Sequence, residues 1–226
     1  MRDLGVVEDE KGEPVGQDRF PHDRVVFFSD AVFAIAITLL AIELRLPDEE
    51  LIERVGAQAA NSETVSLFIS YFISFLVTGL FWAGHMQTWK YVRHVNGKLV
   101  WSTLLQLMFV ALMPFATREY SASFSGDNSA RFAFYAFVLT AISFFSLLTR
   151  RIVVRQENLR ERLGEAQVRW LLWRGVVPLV LFALSIPLAF VLPVWSAGLV
   201  FFMIFPLSAI AKRAIGRAKP ETDVGE

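Results

Sequence analysis

The stretch RVVFFSDAVFAIAITLLAIEL, residues Arg24 to Leu44, decides how the rest of the chain is read. At 1.5 Å per residue a helix of this length covers about 30 Å, the thickness of a bilayer's hydrocarbon core. It is apolar except for Arg24, Ser29, Asp30, Thr38 and Glu43. A carboxylate in such a segment costs at least a few kcal/mol if it faces lipid, so Asp30 must be paired or functional. Turning about 100° per residue from Ile35, the residues Phe28, Ala31, Thr38, Leu39 and Ile42 all fall within about 60° of it, as in a heptad seam. Ser29 and Asp30 lie on the far side, about 120° and 140° away, and Glu43 sits near the outer end. Periodicity alone does not separate a seam that meets copies of itself about an axis from one packed against other spans of the same subunit, and it favours the second. A threonine in an apolar helix also more often bonds back to a carbonyl than touches an ion.

Outward from this segment the pattern repeats. Further apolar stretches occupy about Thr64–Trp89, Leu99–Tyr120, Arg131–Thr149, Leu171–Pro193 and Trp195–Ile215, after a first span of about 25–46. Six spans of about 20 residues take about 120 of the chain's residues, which fits 54% hydrophobic composition over 226 residues. The reading is an all-α integral membrane protein: a polar tail over 1–24, a six-helix membrane domain over 25–215, and a polar tail over 216–226. Only Leu192–Trp195 separates the last two spans, which predicts a tight helical hairpin. A water-soluble bundle is the rival, but Phe132–Leu148 offers Thr140, Ser143 and Ser146 and no charge, too little for a solvated stripe.

Charge sets the orientation. The two tails, the end of the sixth span and the connections after the second and fourth spans carry 17 Lys and Arg, against 4 on the other side. Both termini are therefore expected in the cytoplasm, as an even number of spans requires. Trp89, Trp101, Trp170, Trp173 and Trp195 lie near span ends and fit an aromatic belt. Arg174 sits inside the fifth span near its cytoplasmic end, from where it can snorkel. The arginines of the 150–169 stretch are expected to have anionic membrane lipids as partners. Pro114, Pro178, Pro187 and Pro206 are expected to bend their spans. Gly79 and Ala83 form a small-x-x-x-small pair too common to locate an interface.

Other chemistries find little support. There is no cysteine, which removes thiolate catalysis and zinc-thiolate sites. Three histidines limit imidazole metal sites, and no cofactor is expected. Equal numbers of acidic and basic residues, 22 each, give no basic face for nucleic acid. The chain lacks a Gly-rich phosphate loop, G-x-S-x-G and H-E-x-x-H. It is not expected to be an enzyme.

The string Arg24-x-x-x-Phe28-Ser29-Asp30, continuing AVFAIAITLLAIEL, resembles the signature of the transmembrane protein 175 family of potassium channels, in its bacterial single-repeat form. Trp82-x-x-His85 in FWAGHMQTW, and then LMPFATREY, add to the resemblance over the first three spans. Met86 stands where relatives often carry a second histidine, and Ser102 where an asparagine is common. The resemblance implies a homotetramer in a bacterial plasma membrane, its first spans lining a central pore that passes potassium with modest preference over sodium. It also implies a constriction of Ile35, Leu39 and Ile42, with Thr38 adding a hydroxyl layer, since no TVGYG-like re-entrant filter loop is present. Arg24, Phe28, Ser29, Asp30, Trp82 and His85 would form the signature polar network, with Arg24, Ser29 and Asp30 bonding to Trp82 and His85. No metal is expected beyond permeating monovalent cations. Glu43 and Asp48 either concentrate cations at the outer mouth or simply pair and face water. The competing function is a proton-coupled secondary transporter using Asp30 and His85, since intramembrane Asp and His suit proton relays.

Overall fold

The computed structural model describes residues 20–44, 52–53, 56–124 and 128–191. Within them the chain forms α1 (His22–Leu40), followed by a 3-10 turn at Ala41–Glu43, then α2 (Ala57–Trp89), α3 (Gly97–Ala111), α4 (Met113–Ala122), α5 (Ser129–Gln156), α6 (Leu159–Leu163) and α7 (Glu165–Leu188). No strand occurs among the described residues, only a single bridge between Phe20 and Val95. Five helical stretches are long and apolar enough to cross a membrane, with α3 and α4 together making the third. The sixth expected span, 195–215, its hairpin with the fifth, residues 1–19 of the first tail and all of the second lie outside the described residues; the expected tail of 1–24 ends sooner, because α1 already begins at His22.

Helix ends differ from the apolar boundaries for physical reasons. Hydropathy marks the lipid-facing stretch, whereas helix continues wherever good formers allow it. So α2 begins at Ala57 and not Thr64, through AQAANSE, while α5 runs to Gln156 past Thr149 and α7 starts at Glu165 before Leu171. The first helix stops short of the expected Leu46: α1 closes at Leu40, and by Leu44 the backbone is extended. Pro114 lacks the N–H that would continue α3, and the third span breaks at Leu112 with the proline in the first turn of α4. Gly164, at φ +80°, makes the reversal from α6 into α7 that a residue with a Cβ resists.

The fourth span is the hub. α5 packs along α7 and α3 and also meets α4 and α2, while α1 lies against α2, α3 and α4. The main core gathers Phe33 and Ala36 of α1, Val110 of α3, Met113 and Tyr120 of α4, Tyr135 and Leu139 of α5, and Phe182 of α7. Tyr120 and Tyr135 stack at 4.6 Å, and the Tyr135 hydroxyl meets Ser74 Oγ of α2 at 3.0 Å. A second core closes one end of the bundle around Trp89, Leu99, Val153, Leu159 and Val168. Over it the α2–α3 turn is held by α5: Glu157 Oε1 accepts from the backbone N–H groups of Arg93 (2.8 Å) and His94 (3.2 Å), and Asn96 Nδ2 donates to Gln156 Oε1 (3.0 Å).

Large apolar side chains also cover much of the outer surface. Phe72, Leu76 and Leu80 on α2, Phe137 and Phe144 on α5, and Val180 and Leu184 on α7 are all exposed. Water does not tolerate that much contiguous apolar surface, and lipid does.

Candidate functional site: the first helix and its anchor

The two sides of α1 have opposite environments. Ser29, Phe33, Ala36 and Leu40 are buried against the subunit, each at 2% exposure or less. On the other edge Phe28 is 53% exposed, Ile35 57%, Leu39 40% and Ile42 66%, with Ala31 and Thr38 exposed between them. The exposed edge is the seam that the residue spacing defines, so α1 is held by its back and presents aliphatic side chains outward.

Thr38 Oγ1 donates to the carbonyls of Ala34 (3.0 Å) and Ile35 (2.9 Å). Its proton is committed to its own helix, which leaves oxygen lone pairs facing outward. Glu43 lies half-buried in the 3-10 turn, and Asp48 is outside the described residues.

Behind the seam, Trp82 Nε1 on α2 donates to Asp30 Oδ1 at 2.9 Å. His85, one turn further along α2, is buried with its ring 5.6 Å from Phe33 and 5.6 Å from Trp89. The expected network is narrower than its residue list. Ser29 is buried but donates to Val25 O of its own helix at 2.8 Å, the common fate of a helical serine, and does not bond Trp82 or His85. Arg24 is exposed in the first turn of α1, and no hydrogen bond joins it to Trp82 or His85. Asp30 and His85 are neighbours without a bond between them. Ser102 meets Thr149 Oγ1 at 2.9 Å, so the polar contact at the start of the third span runs to the fourth. No group of three or more His, Asp and Glu among the described residues is arranged to hold a metal ion.

One buried charge escaped the sequence reading. Arg150, counted there with the cytoplasmic loop, is 6% exposed. Its guanidinium threads between α2 and α7, with Nη1 donating to Leu171 O at 3.1 Å. Glycine makes the room: a Cβ on Gly84 would stand 2.7 Å from Arg150 Nη2, and one on Gly175 would stand 3.5 Å from Arg150 Cδ. Gly79, the glycine of the small-x-x-x-small pair, has nothing within 4 Å of where its Cβ would be. Arg174 donates to Gln87 Oε1 and lies over the Trp170 ring at 5.9 Å, so its guanidinium is tied within the helix bundle.

These features define a multi-pass α-helical membrane protein whose first span is gripped on one face and bare on the other. The family model described as endosomal/lysosomal potassium channel TMEM175 matches residues 24–114, which contain that span and its anchor. The chain is 27% identical over 176 residues to a potassium channel of Chryseobacterium sp., covering 77% of this chain and 86% of the relative. It is 36% identical over 126 residues to a potassium channel of Streptomyces collinus, covering 53% of this chain and 58% of that one. Human endosomal/lysosomal proton channel TMEM175 is 36% identical over 106 residues, 44% of this chain and 21% of the human protein. The crystal structure of a lysosomal potassium-selective channel TMEM175 homologue from Chamaesiphon minutus superposes with a TM-score of 0.72 at 22% identity, over 84% of this chain and 97% of that one. The likeness to the TMEM175 family model is carried by residues 24–114, and the likeness of fold extends over most of the chain.

Proposed function

We propose that this chain is the subunit of a potassium-permeable cation channel, a homotetramer of six-span protomers with both termini in the cytoplasm of a bacterial plasma membrane. In this reading four copies of α1 turn their exposed edges toward a shared axis. Ile35, Leu39 and Ile42 then form stacked aliphatic rings, and Thr38 a ring of oxygen atoms between them. The carrying observation is the division of α1 into a buried back and a bare aliphatic edge. The relatives named as potassium channels supply the ion.

The physics of such a pore is that of dewetting. Transferring a bare monovalent ion into a low-dielectric medium costs on the order of 20 kcal/mol. A ring of aliphatic side chains therefore blocks ions when too narrow to hold water, and conducts only when an ion passes with part of its hydration shell. Potassium gives up water more cheaply than sodium, and Thr38 oxygens replace part of what is lost, so a modest preference for potassium follows. The Asp30–Trp82 bond fixes the roll of α1 and thus which residues face the axis. No enzymatic step is part of this reading.

A second reading, proton movement through Asp30 and His85, is favoured by the human relative's description as a proton channel. Flux of potassium against sodium and protons in liposomes tests both. Passive, non-saturating potassium flux supports the channel. Carrier-like saturation that needs a proton gradient supports a proton-coupled transporter.

A further inference from the structure

Where α5, α6 and α7 meet at the cytoplasmic end, a groove of about 580 Å³ is lined by Arg151, Arg155 and Arg160, with Val154 and Leu172 as apolar walls and Glu161 at its edge. Asn158, in a left-handed conformation at φ 48°, turns the chain so that Arg160 faces back toward Arg151 and Arg155 across the groove. Three guanidinium groups stand against one carboxylate, and none of the three forms an ion pair with another described residue. Arg150 Nη1 bonds Leu171 O, and their chain neighbours Arg151 and Leu172 both line the groove, with Trp170 and Trp173 on either side of Leu172 in the sequence of α7. Those tryptophans mark the headgroup region of a bilayer. In the orientation proposed above the groove faces the headgroup region, with Val154 between Arg151 and Arg155 along α5 and Leu172 of α7 as its apolar lining.

We propose that this groove is a binding site for an anionic phospholipid of the inner leaflet, its phosphate held by Arg151, Arg155 and Arg160 and its acyl chain running along Val154 and Leu172. Guanidinium forks match phosphate oxygens two at a time, and basic pockets between spans on the cytoplasmic side suit such headgroups. The proposal rests on the membrane orientation and on no property of the pore, so its failure leaves the channel reading untouched.

The test compares the full-length protein with R151Q/R155Q/R160Q, R151K/R155K/R160K and, as a control on the opposite side, R118Q. Native mass spectrometry counts phosphatidylglycerol retained against phosphatidylcholine after extraction from vesicles containing both. The thermal midpoint in detergent is then read with added phosphatidylglycerol or inorganic phosphate. Each basic residue near an anionic surface contributes about fivefold, so the Gln variant should lose about a hundredfold in preference for phosphatidylglycerol. The Lys variant should keep most of it, and R118Q all of it. Equal lipid retention by the protein and its Gln variant overturns the proposal. So does protection by inorganic phosphate equal to that by the lipid, which assigns the groove to a free anion. A Gln variant that loses stability equally in neutral and anionic lipid also overturns it, since the arginines then hold protein and not lipid.

Discussion

Trp82 Nε1 donates to Asp30 Oδ1 at 2.9 Å, joining α2 to α1 across 52 positions of sequence. Among the described residues it is the one side-chain hydrogen bond from α1 to another helix, the other bonds of its hydroxyls staying within the helix. Apolar packing by Phe33, Ala36 and Leu40 holds α1 close but specifies its rotation weakly. A directional bond to a carboxylate specifies it well.

Asp30→Ala should therefore lower folded and assembled yield more than it changes ion preference. A hydrogen bond to a charged group contributes about 1.5–3 kcal/mol, and this pair, whose Trp82 is exposed, belongs at the lower end. Trp82→Phe should cost a similar amount, and the double variant little more than either alone, because both remove one interaction. Chemical denaturation in detergent and size-exclusion profiles measure this. A double variant whose cost is the sum of the two singles would show that the pair does not act together.

Leu39→Ala and Ile35→Ser should raise potassium flux several-fold in liposomes without loss of yield, since both side chains are exposed in the subunit and support none of its core. Unchanged flux in both variants would mean that these residues do not line the ion's path.

Thr38→Val removes the outward lone pairs and keeps the shape, while Thr38→Ser keeps the oxygen. The valine variant should lose most of its preference for potassium over sodium in reversal-potential measurements, and the serine variant should retain it. Folding should be indifferent to both, because the hydroxyl bonds only the carbonyls of Ala34 and Ile35.

The seam was legible because a 3.6-residue period fixes a face from spacing alone, and Asp30 stood out because a carboxylate in lipid needs a partner. The break at Leu112 was written in Pro114. Partner choice was less legible. Ser29 had a carbonyl four residues back within reach, and no pattern in the sequence announces that a local acceptor wins over Trp82 or His85. Arg150 was hidden by its position in the arginine-rich stretch between two spans, where hydropathy and charge counting treat it as solvated. Only Gly84 and Gly175, on two other spans, signal its burial, and their significance depends on a register that tertiary packing sets.

Glu157 performs a structural task at the same end. Its carboxylate accepts two backbone N–H groups of the α2–α3 turn and lies 3.9 Å from Arg162. Glu157→Ala leaves those donors without a protein acceptor and should cost about 2–3 kcal/mol, whereas Glu157→Gln keeps an acceptor oxygen and should cost about half as much. Thermal unfolding in detergent separates the two, and equal midpoints for Ala and Gln would show that water replaces the carboxylate freely.

Arg150 gives the sharpest contrast between shape and charge. It is buried, and no carboxylate among the described residues lies within ion-pair distance of it. Its polar contact is the carbonyl of Leu171. A buried charge without a counter-charge is a poor source of stability, and apolar replacements of similar volume are often neutral or stabilising. Arg150→Met should therefore match or exceed the parent's melting temperature, while Arg150→Ala, which leaves a cavity between α2 and α7, should lose about 2–4 kcal/mol. Gly84→Ala pushes a methyl to 2.7 Å from Nη2 and should cost about 1–3 kcal/mol in the parent. In the Arg150→Met background that cost should shrink, because a thioether chain yields where a hydrogen-bonded guanidinium does not. If Gly84→Ala is equally harmful in both backgrounds, the glycine serves backbone approach and not the arginine. If Arg150→Met is as damaging as Arg150→Ala, the charge itself holds α5 to α7.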